Sequence, residues 1–349
     1  MYATYQKYIL HFKQPAGTSR GTLTQKESWF ILLHEEKNGA VEGVGECGIL
    51  RGLSCDDKPG YHKKLREVCE NINLPRETLL ESLKDWPSIR FGLEQAFLSR
   101  NQVNKNVFLP SPFTRGEKSI DINGLIWMGS KDFMLKQIQD KLEAGFRCIK
   151  LKIGTGDFEK ELECIQFIRS KYSARDIQIR TDANGGFSTS EALEKLKRLA
   201  EYDIHSIEQP LKAGLIDETA HLCAQNTVPI ALDEELIGIQ NPHEKKVLIA
   251  RIQPQYIILK PSLIGGFQAC DEWIHAAEKH GVKFWITSAL ESNIGLNAIA
   301  QYTALNADCE FPQGLGTGGL YTNNLPGPCT IKNGQLHFDT TFTHKPVTP

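Results

Sequence analysis

Apolar and polar positions divide the chain into two textures. Up to about residue 50 the apolar residues come in short runs: a weak alternation over 5–12, a run over 28–33 and another over 41–47. Runs of this length predict strands. Asn38-Gly39, between the second and third, is a strong hairpin turn. Between the first two lies Pro15-Ala-Gly-Thr-Ser-Arg-Gly-Thr22, small, polar and glycine-rich, which predicts a loop that can move. From about 60 to 105 the period becomes helical. Leu79, Leu80 and Leu83, then Ile89, Leu93, Ala96 and Phe97, fall on one helical face. This part is α+β in character. Pro110, Pro112 and Gly116 punctuate its end.

Beyond residue 118 the texture alternates strand and helix. A strand is predicted over 120–126, and a helix follows from an N-cap at Ser130 to Ala144, closed by Gly145. The next strand is Cys148-Ile-Lys-Leu-Lys152-Ile-Gly154, followed by a helix over 158–171. Strands ending at Asp182, Glu208, Asp233 and Lys260 come next, and Ser188-x-x-Glu191 reads as a capping box between the first two. Gly265-Gly266 precedes a helix over 268–280. A seventh strand is expected over 282–287, a helix over 293–305, and an eighth strand near 309–311. Repeated units of about 25 to 30 residues, without a repeating side-chain pattern, predict a βα barrel rather than a solenoid. A last hairpin is expected over 331–338.

The polar residues at the strand ends carry the chemistry. Lys152, Asp182, Glu208, Asp233 and Lys260 are separated by 30, 26, 25 and 27 residues. Side chains alternate along a strand, so Lys150 and Lys152 point the same way. Two inward ammonium groups repel and lose hydration, which favours a neutral amine able to act as a base. In a βα barrel the strand ends meet at one mouth. Three carboxylates converging there imply a cation. All-oxygen ligands suit a hard divalent ion, Mg²⁺ first and Mn²⁺ as substitute, and the lack of His or Cys beside them argues against zinc. The reaction such a site suits is removal of a proton next to a substrate carboxylate, with lysines on either side.

Composition narrows the class further. The 349 residues carry 40 basic and 42 acidic side chains, a formal net charge of −2. That balance points away from nucleic acid and from an anionic membrane. No apolar run is long enough to span a bilayer, and residues 1–8 lack the build of a signal peptide. The nine cysteines form no Cys-x-x-Cys pair, so buried thiols in a reducing cytoplasm are expected. Oligomeric state has no signature in the sequence.

Lys150-x-Lys152, Asp182-Ala-Asn184, Glu208-Gln-Pro210, Asp233-Glu234 and Lys260-Pro261 occur in this order and at these spacings. As a set they resemble the enolase superfamily, in its muconate-lactonizing-enzyme subgroup. The resemblance spans nearly the whole chain. It implies an α/β fold: a modified TIM-type (β/α)7β barrel over 118–320, an α+β capping domain over 1–117, and a segment over 321–349 that returns to the cap. It implies Asp182, Glu208 and Asp233 as metal ligands, Lys152 as general base and Lys260 as the opposing lysine. Lys150 would keep the Lys152 amine acidic, and Asn184 and Glu234 would support the ligands. Within the subgroup, Gly17-Thr-Ser-Arg20-Gly21 and Gly314-Leu-Gly-Thr-Gly-Gly319 resemble the dehydratases that turn 2-succinyl-6-hydroxy-2,4-cyclohexadiene-1-carboxylate into an aromatic acid. The alternative is an N-acylamino acid racemase or dipeptide epimerase. Asp308 stands alone where the dipeptide epimerases carry an Asp-x-Asp pair, which argues against them.

The substrate on either reading is a small carboxylate. Arg20 pairs with its tail or is an ordinary surface arginine. Ser288 and Glu291 orient substrate or cap a helix. Gly316 and its neighbouring glycines let the backbone approach the substrate; they lack the spacing of a nucleotide cradle. His205 is expected in the core, and Trp127 and Trp285 in the core or a pocket wall.

Overall fold

Two long antiparallel strands, β1 (Tyr2–Thr18) and β2 (Gly21–His34), open the chain. In the computed structural model, which describes residues 1–18, 21–100, 102–154, 156–307 and 311–343, they run on as one ribbon to the pair Thr18 and Gly21. The small, polar stretch expected as a loop is therefore largely strand: its backbone groups are taken by the ladder between Ala16–Leu23 and Gly17–Thr22. β3 (Val41–Cys47) completes this sheet against β2. The helices α1 (Tyr61–Glu70), α2 (Arg76–Glu81) and α3 (Pro87–Arg100) cover it. Ile31, Leu33, Cys47, Leu65, Leu83 and Leu93 form the core of this cap. A Cβ on Gly45 would lie 1.7 Å from Gly92 O, so α3 rides directly on the β3 backbone.

β4 (Ile120–Asp121) and β5 (Gly124–Ile126) divide the single strand expected over 120–126. Only β5 enters the barrel sheet. α4 (Lys131–Glu143) begins where predicted, with Ser130 Oγ accepting the Phe133 amide. Then follow β6 (Cys148–Lys152), α5 (Phe158–Arg169), β7 (Gln178–Asp182), α6 (Ala192–Ala200), β8 (Ser206–Glu208), α7 (Ile216–Gln225), β9 (Ile230–Leu232), α8 (Pro242–Ile252) and β10 (Tyr256–Leu259). α9 (Pro261–Ile264) is a single turn ahead of α10 (Gly266–Glu278), and β11 (Lys283–Ile286) leads to α11 (Asn293–Asn306). The seven strands β5 to β11 form one parallel sheet in chain order, and Ile149, Leu151, Ile179, Ile207, Ile257 and their neighbours pack its outer face against the helices. The capping box before α6 forms in part: the Glu191 carboxylate accepts the Ser188 amide at 3.0 Å, while Ser188 Oγ meets Ser190 instead of the helix.

The eighth strand lies elsewhere than expected. Residues 308–310 fall outside the described set, and closure is made by Gln313 and Gly314. Gln313 bridges Ile122 and Gly314 bridges Thr287, both in the parallel sense. The Gln313 side chain adds a bond, accepting the Ile286 amide at 2.8 Å. Two bridges and one carboxamide replace a full strand, which a pattern of apolar residues does not signal.

The terminal hairpin is β12 (Cys329–Lys332) and β13 (Gln335–Phe338). It pairs with β4, at the entrance to the barrel, and not with the cap sheet. The chain meets the cap earlier: Tyr321 bridges Phe12, and Leu320 O accepts the Lys13 amide at 2.8 Å. None of the eight described cysteines is in a disulfide. Among the described residues no helix is long and apolar enough to cross a membrane.

Candidate active site

All five residues of β6 are buried, and register fixes what they face. Lys150 lies level with Arg180 and Ser206, and Lys152 with Asp182 and Glu208, across three parallel strands. The inward side chains therefore form rows, with Lys152, Asp182 and Glu208 in the row nearest the strand ends and Lys150 one row below. Asp233 follows β9, and Lys260 follows β10 in extended conformation ahead of α9. The six side chains are nearly sealed: Asp182 is fully buried and Lys260, the most exposed, is 9% exposed.

Their contacts are ionic. Lys152 Nζ donates to Asp182 Oδ2 and to Asn184 Oδ1, both at 2.7 Å. Lys150 Nζ lies 2.8 Å from the same Asp182 oxygen and also bonds Glu208 Oε2. Lys260 Nζ bonds Asp233 Oδ2 and lies 3.7 Å from Glu208 Oε1. That Glu208 oxygen is buried and accepts no hydrogen bond. Among the described residues, no three carboxylate, His or Cys side chains surround a common point; each of these carboxylates is turned to a lysine.

The electrostatics follow from that packing. Burial alone would raise the Asp182 carboxyl, but Lys150, Lys152 and Lys260 hold it well below the usual carboxylate range. Burial, reinforced by the Asp182 charge, pushes Glu208 up. Burial opposes the charged form of Lys260, and the Asp233 and Glu208 carboxylates overcome it, so its ammonium is held. Lys150 is raised in the same way, against its own burial, by Asp182 and Glu208. A dense set of hard oxygen donors, one of them without a bonding partner, is the donor chemistry a small divalent cation takes.

A cavity of about 360 Å³ opens onto this cluster and is lined by Lys150, Lys152 and Lys260. Phe12, Leu23 and Leu50 of the cap form part of its wall, as do Leu125 and Trp127. A larger groove, about 580 Å³, lies between α2, α3, α10 and α11 and holds none of these residues. The chemistry therefore selects the smaller one. Ser288 and Gly316 line it as well. Gly314 is glycine for a reason of space, since a Cβ there would lie 2.3 Å from Thr287 Oγ1. Glu291 is fully buried behind Ser288, away from the cavity wall. Arg20 lies outside the described residues. His205 packs against Tyr256, Trp285 and Phe311 towards the opposite end of the barrel. Trp285 is buried under the Arg180 guanidinium at 4.1 Å.

One residue at the site, Gln209, has no role expected from the sequence, whereas Asn184 is expected there as support. Gln209 takes a left-handed conformation, φ 39°, and its Oε1 accepts the amides of Asp233 and Glu235. It thereby fixes the turn that carries Asp233. The signal was present as the middle residue of Glu208-Gln-Pro210. Asn184 is also left-handed, φ 44°, and donates to Glu234 Oε1 at 2.9 Å. Strained backbone held by side-chain bonds is common where geometry must be exact enough for chemistry.

Comparison with known proteins gives a consistent picture. Residues 134–342 match the family described as enolase C-terminal domain-like. An o-succinylbenzoate synthase of Desulfotalea psychrophila is 44% identical, over 96% of this chain and 98% of the relative. The crystal structure of MenC from the same organism superposes with a TM-score of 0.83 at 40% identity, covering 97% of this chain and 99% of that one. An N-succinylamino acid racemase of Thermus thermophilus is 28% identical over 80% of this chain and 75% of its own.

Proposed function

The chain belongs to the enolase C-terminal domain-like family, and from that premise we propose that it is a Mg²⁺-dependent o-succinylbenzoate synthase. It would dehydrate 2-succinyl-6-hydroxy-2,4-cyclohexadiene-1-carboxylate in the cytoplasm, as a step of menaquinone biosynthesis. The observation that carries the reading is the buried cluster of three lysines and three carboxylates, whose lysines line one cavity. The 44% identity to a synthase over almost the whole length supports the substrate.

Asp182, Glu208 and Asp233 would hold the ion, with Mn²⁺ as a substitute. When bound, it supplies positive charge to the substrate carboxylate and so acidifies the neighbouring carbon. In this structure Lys150 holds Asp182 and Glu208 and Lys260 holds Asp233, so these carboxylates would share their charge between the ion and the two ammonium groups. Lys152 takes the α-proton. The electron pair of that C–H bond first spreads into the substrate carboxylate as an enediolate, and then forms the new ring double bond as the C–O bond to the hydroxyl breaks. Lys152 returns its proton to the departing hydroxide, so water leaves and the amine is restored. Lys260 keeps its charge beside the anionic intermediate and stabilises it. Asn184 accepts from Lys152 and so aims the amine, while Gln209 holds the Asp233 turn. Phe12, Leu23 and Leu50 of the cap wall the cavity with apolar surface.

Steady-state turnover of the cyclohexadiene with Mg²⁺, with and without EDTA, tests the proposal. Turnover that EDTA abolishes and Mg²⁺ restores is expected; no turnover with Mg²⁺ present ends the synthase reading. A racemase is the second reading, because Lys152 and Lys260 both line the one cavity and two bases are what racemization needs. Loss of α-deuterium from an N-succinylamino acid, without dehydration of the cyclohexadiene, would favour it.

A further inference from the structure

We infer that Glu291 is a positioning residue, a single buried carboxylate that ties the turn after Lys260, the cavity wall at Ser288 and Thr317, and the cap to one another. Its two oxygens take two serines from different elements. Ser262, two residues past Lys260 on α9, donates to Oε1 at 2.5 Å. Ser288, at the end of β11, donates to Oε2 at 2.5 Å. The same α9 turn is held by Lys260 O, which accepts the Leu263 amide at 2.8 Å. Moving Ser262 therefore moves the backbone that carries Lys260.

Ser288 faces the cavity but has nothing left to offer a ligand. A hydroxyl has one donor and two acceptor positions. Its donor goes to Glu291, and its acceptors take Thr317 Oγ1 at 2.9 Å and the Glu291 amide at 3.3 Å. Ser288 is thus a wall fixed from behind, and it passes that constraint to Thr317 in the glycine-rich turn Gly316–Gly319.

The cap closes on the same carboxylate. A Cβ on Gly48 would come within 3.0 Å of Glu291 Cγ and 3.1 Å of Oε1, so the chain leaving β3 lies directly on Glu291. Beside it the buried Glu46 of β3 accepts Ser292 Oγ at 2.5 Å and the Ser292 and Gly295 amides, both at 3.0 Å. Lys26, almost wholly buried, reaches Ser28 at 2.9 Å and lies 4.0 Å from Glu46. Buried, fully bonded networks of this kind fix one geometry. Leu50 and Leu53, a few residues past Gly48, line the cavity, so seating the cap shapes the wall and the Lys260 turn together.

This inference rests on the synthase reading for its kinetic readout only; a second readout needs no substrate. Glu291→Gln keeps the shape and loses the charge, leaving one of the two serines without its acceptor. Glu291→Ala removes both bonds. In the full chain, kcat is expected to fall about tenfold for Glu291→Gln and about 100-fold for Glu291→Ala, the scale of a small misplacement of reacting groups. KM and Mn²⁺ affinity should change less than about threefold, because the inference places no contact to substrate or ion on Glu291. Hydrogen exchange by mass spectrometry, without substrate, should rise about tenfold or more in peptides covering α9 and Gly316–Gly319 while those covering β6 and β7 stay protected. Gly48→Ala, which presses on the carboxylate from the cap, should raise exchange in the same two places. If Glu291→Ala does not fold, Glu291→Gln and Gly48→Ala carry the test. Exchange that rises evenly over the whole barrel, or in neither place, overturns the inference whether or not the protein dehydrates the cyclohexadiene. Should wild type lack that activity, the synthase reading falls and the exchange pattern still decides this one.

Discussion

Lys150 and Lys152 meet on a single oxygen: their Nζ atoms lie 2.8 and 2.7 Å from Asp182 Oδ2. One residue separates them on β6, so both reach the same point from the same face. They differ in what else they hold. Lys150 bonds Glu208, two strands away, whereas Lys152 bonds Asn184 beyond the strand end. Both line the cavity, and the outer lysine stands nearer the strand ends. Lys152→Ala is expected to lower kcat/KM for dehydration by about 10⁴-fold, the upper range for a positioned base, with Mn²⁺ affinity retained. Lys260→Arg, which keeps a charge, should retain measurable dehydration and lose all α-deuterium exchange that needs a second base. Progress curves on the cyclohexadiene and proton NMR of a deuterated N-succinylamino acid read the two.

Glu208 sits between Asp182 and Asp233 and has a buried oxygen, Oε1, without a hydrogen bond. Removing its charge should cost the ion more than it costs the fold. Glu208→Gln is expected to weaken Mn²⁺ binding by about tenfold or more, corresponding to about 1.4 kcal/mol. Electron paramagnetic resonance of free Mn²⁺ measures this without any substrate. Unchanged Mn²⁺ affinity would remove Glu208 from the ligand set.

The cap ribbon touches the barrel at Gly17, whose carbonyl accepts the Met128 amide at 3.3 Å. A Cβ on Gly17 would lie 2.5 Å from Met128 O, too close for either backbone to keep its place. Gly17→Ala should therefore lift the ribbon. About a fivefold rise in KM is expected, from roughly 1 kcal/mol of misfit, with kcat little changed. A change in kcat alone, at constant KM, would contradict this placement of the ribbon.

His205 sets a pH dependence of stability. Burial, with Arg180 and Lys283 nearby, lowers it to about 4, below its ordinary 6.5. The folded state thus binds fewer protons than the unfolded one in this window, and its stability is complete above the ordinary value and lost as pH falls towards 4. The loss is about 2 kcal/mol after allowance for partial exposure. In His205→Phe, which keeps a ring against Tyr256 and Trp285, the melting temperature should fall less than in wild type between pH 7 and 4.5. Parallel melting curves of the two proteins would sink the assignment.

Much of the barrel is written in the chain because each βα unit is local. Ser130 caps its helix within three residues, and Asp182, Glu208 and Lys260 lie at strand ends that apolar runs mark directly. The cluster's placement follows once the strands are parallel and in order. Other features depend on distant partners. Gln313 closes the ring by bonds to Asp121, Asn123 and Ile286, which no run of residues around it announces. Glu291 reads locally as a substrate contact or a cap, and only the approach of Ser262 and Gly48 turns it away from the cavity. The ribbon at 15–22 looks like a flexible loop by composition, yet two strands' worth of backbone bonds extend through most of it.

The ring's seam has a consequence for how the protein is made. Every strand of the parallel sheet has been synthesised by Ile286, but Gln313 comes later and the hairpin that grips β4 later still. The seven strands therefore keep two unjoined margins until Gln313 has left the ribosome. The glycine-rich turn that walls the cavity emerges with the fastening residue, so cavity and cylinder are finished in the same moment of translation.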